Sequence, residues 1–304
     1  MTIRDIFYLM TIGEEKSITK AASKLFVAQP ALSQCLQKVE KELGAEIFVR
    51  TSSGVRPTAE GQRFLEFAAR TLSEYQGMQK EIKDIKSEGR GTVTVGLTGT
   101  QATYVLPYFL PQFHKMYPNI EVILKEDTSG MIEEKLANGK VDIGIVHEPI
   151  LNPNLDYFEL SRDEMVIIPR SCSRFQPCIY YLENDNRPYL KTAFFEHEPL
   201  VLTPTNQRSR MVCEQIFQKA GITPEVKQVS KNLIALDALA QVDYATTIIP
   251  AKQVSDALRR RGLYYFDPQY SVPYTFCVSV LKNAYISVAA KKLWDLLREL
   301  QGTF

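Results

Sequence analysis

Apolar residues in the first part of the chain recur every three to four positions and then every second one, and each change of period marks a new element. Ser17 precedes Ile18, Ala21, Ala22 and Leu25, a spacing that predicts a helix over 17–26 with Ser17 as its N-cap. The small Ala21 and Ala22 let a second helix cross closely. Pro30 is expected to start that helix, over 30–43, at the first helical position, where its missing N–H costs nothing. Leu32, Cys35, Leu36, Val39 and Leu43 form its apolar stripe, and Gly44 ends it. Residues 46–58 then read as strand, turn and strand: Ile47 and Val49 alternate, Ser53-Gly54 turns the chain, and Val55 resumes.

The second helix keeps Gln29, Ser33, Gln34, Gln37, Lys38 and Lys41 off its stripe. Glutamine and serine match base edges in a major groove, and lysine matches phosphate. An ordinary amphipathic pair with a solvated face has the same periodicity. The ribbon that follows favours the first reading, because a two-stranded wing would display Arg50 and Arg56 beside the helix. From 16 to 58 there are seven Lys/Arg and three Asp/Glu, a local +4 in a chain of net charge +1. That is enough to steer towards phosphate.

A long helix is expected over about 58–86, capped by Thr58. Leu65, Leu72 and Gln79 recur every seven residues, as do Ala68, Tyr75 and Ile82, giving the a/d seam of a short coiled coil. Pairing with a second copy and packing against the body of the same chain both satisfy this seam. Ser87-Glu88-Gly89-Arg90-Gly91 reads as a hinge. Beyond it, TVTVGL, IEVILK and VDIGIV alternate with helices at 101–117 and 128–138. A second series follows in EMVIIP, helix 208–220, VKQV, helix 232–241 and ATTIIP, before YTFCVSVL and a helix at 286–300. Such alternation implies parallel sheets with right-handed crossovers.

Sheet topology then places a ligand. Open α/β sheets bind beyond the carboxyl ends of their strands, where helix N-termini present free N–H groups. Thr98, Thr100 and Gln101 stand at such a turn and suit a small anion or carboxylate, although helix capping explains one threonine. Thr203, Thr205 and Asn206 are expected on the opposite wall, with Val146 and His147 as a third. A lone histidine such as His147 also suits a surface turn.

The phrases S-I-T-x-A-A, L-F-V-A-Q-P-A-L-S, L-x-x-V-E-x-x-L-G, I-F-x-R and P-T-x-x-G resemble the winged helix-turn-helix of LysR-type transcriptional regulators. L-P-x-F-L-P-x-F, Y-P-N-I, G-K-V-D-I-G-I and A-G-I-T-P-E extend the likeness over the rest of the chain. The resemblance implies an α+β multi-domain protein: a DNA-binding head at 1–58, a linker or dimerisation helix and hinge at 59–91, and a two-lobed α/β effector domain at 92–304 like periplasmic solute-binding proteins. Lobe I would take 92–161 and 269–304, and lobe II 162–268. It further implies double-stranded DNA, a small-molecule effector, a homodimer or homotetramer and RNA polymerase as partners. In the head, Ser33, Gln34 and Gln37 are expected on base edges, Gln29 and Pro30 at the groove wall, and Lys38, Arg50 and Arg56 on phosphate or the minor groove. The segment T-G-T-Q-A-T-Y-V-L-P also resembles the cysteine-regulon activator subgroup, whose effectors are small sulfur compounds or sulfate-like anions. Two departures stand out: Gln34 where arginine often sits, and Asp243-Tyr244-Ala245 where G-x-G is common.

Composition narrows the alternatives. Apolar content of 45% and charged content of 23% suit a globular protein, and no run approaches the roughly eighteen apolar residues of a membrane span. The first residues break into charge too early for a signal peptide. Five cysteines without paired spacing favour a reducing cytoplasm; Cys172 and Cys178 remain a candidate redox pair, and Cys213 a third candidate thiol. No metal site, cofactor fingerprint or nucleophile motif is present, so an enzyme is not expected. A solute-binding module without DNA regulation and a thiol-based regulator are the alternatives.

Overall fold

The structure, a computed structural model, describes residues 1–303 except 53, 87–89, 172 and 174, and leaves out the side chains of Lys86, Thr100 and Tyr104. Helix α1 (Ile3–Glu15) opens with a reciprocal cap, Thr2 Oγ1 accepting from Asp5 N and Asp5 Oδ2 from Thr2 N. Ser17 caps α2 (Ile18–Leu25) by accepting from Lys20 N. The chain leaves α2 through Phe26 at φ 54 and enters α3 (Gln29–Leu43), which starts one residue before Pro30, the expected first position, and ends at Gly44 with φ 69. Leu32, Leu36 and Val39 pack on Ile6, Leu9, Ile12, Ala21 and Ile47 as one core. Cys35 is only half-buried and Leu43 is exposed, so the stripe is narrower than its spacing suggests.

Strands β1 (Phe48–Thr51) and β2 (Gly54–Pro57) pair antiparallel as the ribbon. The expected turn residue Ser53 lies outside the described residues. Gly54 has φ +131, and a Cβ there would meet the Lys16 carbonyl oxygen; Val55 N donates to that same oxygen at 2.9 Å. Glycine therefore lets the wing lie against the loop between α1 and α2.

Helix α4 (Ala59–Lys86) starts at Thr58, whose Oγ1 accepts from Gly61 N at 2.8 Å. Its heptad seam divides. Leu65, Ala68 and Leu72 pack into the head, while Tyr75, Gln79 and Ile82 stay exposed beside Met78 and Ile85. The far end of α4 also touches the body of the chain: Lys80 pairs with Asp142, and Asp84 Oδ2 accepts from Tyr285 OH and Val288 N. Residues 87–89 of the expected hinge fall outside the described residues.

The body begins with β3 (Gly91–Leu97), α5 (Gly99–Met116), β4 (Ile120–Glu126), α6 (Ser129–Ala137), β5 (Ile143–His147) and β6 (Leu155–Asp163). It continues through β7 (Met165–Ile168), β8 (Ile179–Leu182), β9 (Asp185–Leu190), β10 (Pro199–Leu202), α7 (Arg208–Ala220), β11 (Glu225–Val229), α8 (Leu233–Gln241), β12 (Thr246–Pro250), α9 (Asp256–Arg261) and β13 (Tyr264–Tyr265). Finally β14 (Tyr274–Leu281) and α10 (Val288–Glu299) complete it. Among the described residues one sheet runs β4-β3-β5-β14-β6 and the other β11-β10-β12-β7-β13-β9-β8. The chain passes between them twice, from β6 to β7 and from β13 to β14.

The sheets are mixed rather than wholly parallel. β3 pairs parallel with β4 and β5, and β10 with β11 and β12, but β14 runs antiparallel to β5 and β6, and β12 to β7. The crossing strands account for this: β14 returns from the other lobe and so enters its sheet from the far end. The β8–β9 hairpin was not expected, since Asp185, Asn186, Arg187 and Pro188 mask its alternation. At the departure from G-x-G, Asp243 holds φ 57 and its Oδ1 accepts from Ser171 N and Arg261 Nη2. Aspartate tolerates this left-handed backbone, and the side chain ties α9 to the loop after β7.

Candidate DNA-reading face and interlobe cavity

The head displays the residues that its sequence singled out. Gln29, Pro30, Gln34, Gln37 and Lys38 are exposed on α3, and Arg50 and Arg56 on the ribbon. Ser33 is half-buried and accepts from Gln29 Nε2 at 2.9 Å, one turn away on the same face. Across the ribbon Arg50 faces Val55 and Arg56 faces Val49, so the two arginines point to opposite faces. Lys38 is not free: its ammonium lies 3.0 Å from Asp5 Oδ2. Burial pushes the Asp5 carboxyl up, but hydrogen bonds from Lys38, Thr2 and Cys35 outweigh it and hold its pKa down at about 2. A phosphate that recruits Lys38 must compete with that pair. Sequence reasoning passed over Phe26, which is 95% exposed in the turn before α3.

Between the two sheets lies a cavity of about 570 Å³, lined among others by Thr98, Gly99, Ser129, Gly130, Asn206, Gln207, Arg208, Asn232 and Leu233. Those residues are the first turns of α5, α6, α7 and α8, so four helix N-termini meet on one space. Thr98 Oγ1 accepts from Gln101 N, and Asn232 Oδ1 from Ile234 N. The convergence follows from the topology: each of these helices leaves the carboxyl end of a strand that points at the opposite lobe.

Arg208 and Glu133 join the lobes. Nη2 of Arg208 lies 2.6 Å from Glu133 Oε1, and both side chains are 4% exposed. Glu133 Oε2 accepts from Leu151 N and Asn152 N, each at 2.9 Å. His147 closes the floor at 2% exposure, stacked on the Tyr274 ring at 3.9 Å and tilted against Phe276. It sits in the interior and not at a surface turn. Burial pushes its pKa down to about 3, against a hydrogen bond to the Thr275 backbone and aided by the charge of Arg208.

The other residues named from sequence fall at different depths. Gln101 is fully buried and completes the α5 cap, its Oε1 accepting from Thr98 N; it is not on the cavity wall. The Thr203 hydroxyl is 2.8 Å from Ser209 Oγ beneath the wall, and Thr205 is exposed outside it. The Thr100 side chain lies outside the described residues. Asp243 and Ala245 are not on the wall either. Arg208, Glu133, Ser129 and Asn232 were not anticipated. No contiguous stretch of sequence links these four and only the fold assembles them; the sole local signal was the polar run Thr205-Asn206-Gln207-Arg208-Ser209 before an apolar helix.

No group of three or more His, Cys, Asp or Glu able to hold a metal occurs among the described residues, and no helix there is long and apolar enough to cross a membrane. Burial pushes the Cys213 and Cys277 thiols up to about 12 and Cys35 to about 11, which leaves them as unreactive thiols. Cys172, half of the candidate redox pair, lies outside the described residues.

Residues 3–62 match the family described as "Bacterial regulatory helix-turn-helix protein, lysR family", and residues 86–302 match "LysR substrate binding domain". The chain is similar to an uncharacterized HTH-type transcriptional regulator, YcgK, of Bacillus subtilis, at 28% identity over 100% of this chain and 96% of that one. Full-length CbnR, solved as a complex with its target DNA, is similar in structure with a TM-score of 0.57 at 22% identity, covering 99% of this chain and 100% of that one. The effector-binding domain of QuiR, solved with shikimate, has a TM-score of 0.60 at 18% identity over 70% of this chain and 97% of that one.

Proposed function

The chain belongs to the LysR family of transcriptional regulators, with a DNA-binding helix-turn-helix and a substrate-binding domain, and from that premise we infer how its two sites divide the work. The head, residues 1–58, lays α3 in a major groove, with Ser33, Gln34 and Gln37 on base edges and Gln29 and Pro30 at the groove wall. Arg50 and Arg56 take phosphate or the minor groove on either side of the ribbon, and Lys38 takes phosphate in exchange for Asp5. The exposed Tyr75, Met78, Ile82 and Ile85 of α4 are covered by a second copy, giving a dimer, and two dimers give a tetramer. The CbnR complex supports the mode of DNA binding by fold likeness.

The cavity between lobe I (92–161 and 269–304) and lobe II (162–268) holds a small organic anion as effector. The observation that carries this is the meeting of four helix N-termini around about 570 Å³, which places partial positive charge and free N–H groups on a space of ligand size. The likeness of residues 98–107 to the cysteine-regulon subgroup supports an anion at the first turn of α5, but the space is far larger than a sulfate-like ion fills. Binding there shifts the population of lobe arrangements and thereby the spacing of the heads. The protein acts in the cytoplasm, with RNA polymerase as the machinery it influences.

A mobility shift against DNA from the neighbouring intergenic region, titrated with salt, tests the reading. Retardation that prefers one sequence at moderate salt supports it, and binding indifferent to sequence contradicts it.

A further inference from the structure

Two residues that line the cavity each hold a buried hydrogen-bonding atom with no partner among the described residues, and the two atoms call for opposite chemistry. The first is Nε of Arg208, whose Nη1 faces Met211 Sδ at 3.4 Å and whose Nη2 holds Glu133. Nε–H lies on the side-on edge of the guanidinium, the edge that a carboxylate grips, and Glu133 touches only Nη2. The second is Nδ1 of His147. The ring bonds to the Thr275 carbonyl, so its other nitrogen, Nε2, carries the proton. With its pKa pushed down to about 3 the imidazole is neutral, and Nδ1 offers a lone pair and nothing else. Both side chains are more than nine-tenths buried, so neither atom is easily satisfied by bulk water.

Arg208 Nε therefore asks for an acceptor, best a charged one, and His147 Nδ1 asks for a donor. Leu233, Ile234 and Tyr274 supply apolar wall for a carbon skeleton between them. Building on the reading of this cavity as the effector site, we propose that its ligand is an organic acid carrying a hydrogen-bond donor, a hydroxy acid or an amino acid. Its carboxylate meets Arg208 Nε and the surrounding helix N-termini, and its hydroxyl or ammonium donates to His147 Nδ1. A site that hydrogen-bonds a ligand group discriminates strongly against the analogue that lacks it, because its own polar atom is then left bare.

Calorimetric titration of the full chain tests this with benzyl, isobutyl and methyl side chains in turn on one scaffold: each is offered as the 2-hydroxy acid, the 2-amino acid, the acid without the donor and the 2-hydroxy amide, which keeps the donor and lacks the carboxylate charge. On the skeleton that fits best, a donor-bearing acid should bind at least about tenfold more tightly than the donorless acid or the amide. Whichever of hydroxyl and ammonium binds more tightly identifies the donor. Gly130→Trp should abolish this binding, since Gly130 lines the cavity and a Cβ there meets nothing within 4 Å, which leaves room for an indole against that wall. His147→Phe should reduce the donor preference to within about twofold while the acid is still favoured over the amide. If Gly130→Trp blocks binding but the donorless acid or the amide binds as well as the donor-bearing acid, the inference falls and the effector cavity stands. Binding indifferent to Gly130→Trp, or no binding on any skeleton, overturns the cavity reading and the inference with it. The wild-type series decides the matter even if His147→Phe fails to fold.

Discussion

Arg208→Met cuts the ion pair that bridges the two lobes, and its cost follows from the surroundings. Both side chains are 4% exposed, and Glu133 would keep Leu151 N and Asn152 N as donors but lose its counter-charge. An uncompensated buried charge costs about 3–5 kcal/mol. In a domain of this size each kcal/mol moves the melting temperature by about 2–4 °C, so the body should melt about 6–20 °C lower. Adding Glu133→Gln removes the stranded charge while leaving an oxygen for the two backbone donors. The double variant should recover about 2 kcal/mol or more of the loss, a coupling typical of a hydrogen-bonded pair. Calorimetric melting of the four proteins at neutral pH supplies the cycle. A single variant within about 1 kcal/mol of the wild type, or a double variant no better than the single, would refute the argument that this pair carries an uncompensated buried charge when broken.

Gly61→Ala should destabilise the head by about 3 kcal/mol or more in denaturant melts, because its Cβ would overlap the Ile47 carbonyl oxygen, whereas Gly130→Ala, in open space, should stay within about 0.5 kcal/mol. The Asp5 pKa of about 2 lies below its unfolded value, so its contribution is complete above about pH 4 and is lost as pH falls towards 2. Asp5→Asn should flatten that part of the acid-stability curve. His147 is held neutral below its unfolded pKa, so it destabilises the fold as pH drops from about 6.5 towards 3. His147→Phe should shrink the slope of the melting temperature in that window. Lys38→Ala should weaken all DNA sequences alike and lower the salt slope by about one unit, measured by fluorescence anisotropy.

What the chain reveals unaided depends on how locally it is encoded. The caps at Ser17 and Thr58, the proline-opened α3 and the stop at Gly44 each need only a few consecutive residues, and they sit where periodicity places them. The amides of α3 were visible for the same reason. The seam of α4 was legible as a seam but not as one divided between the head and an exposed end, because a heptad does not say which partner covers it. The cavity was half legible. Thr98, His147 and Asn206 could be placed from strand ends, but Glu133 and Arg208 stand 75 positions apart and meet only once two lobes face each other. Gln101 and Thr203 carry the right functional groups and use them inside the fold, on a cap and on Ser209. The role of Asp243 likewise needed its backbone angle, since only a left-handed φ explains why the position admits glycine or aspartate.

Selection of bound duplexes from a random pool measures the reading face most directly. The wild-type chain should return one consensus, and the Ser33→Ala/Gln34→Ala/Gln37→Ala variant should return none or a different one while retaining salt-dependent affinity for DNA at large. Recovery of the wild-type consensus by that variant would contradict the placement of these side chains against bases.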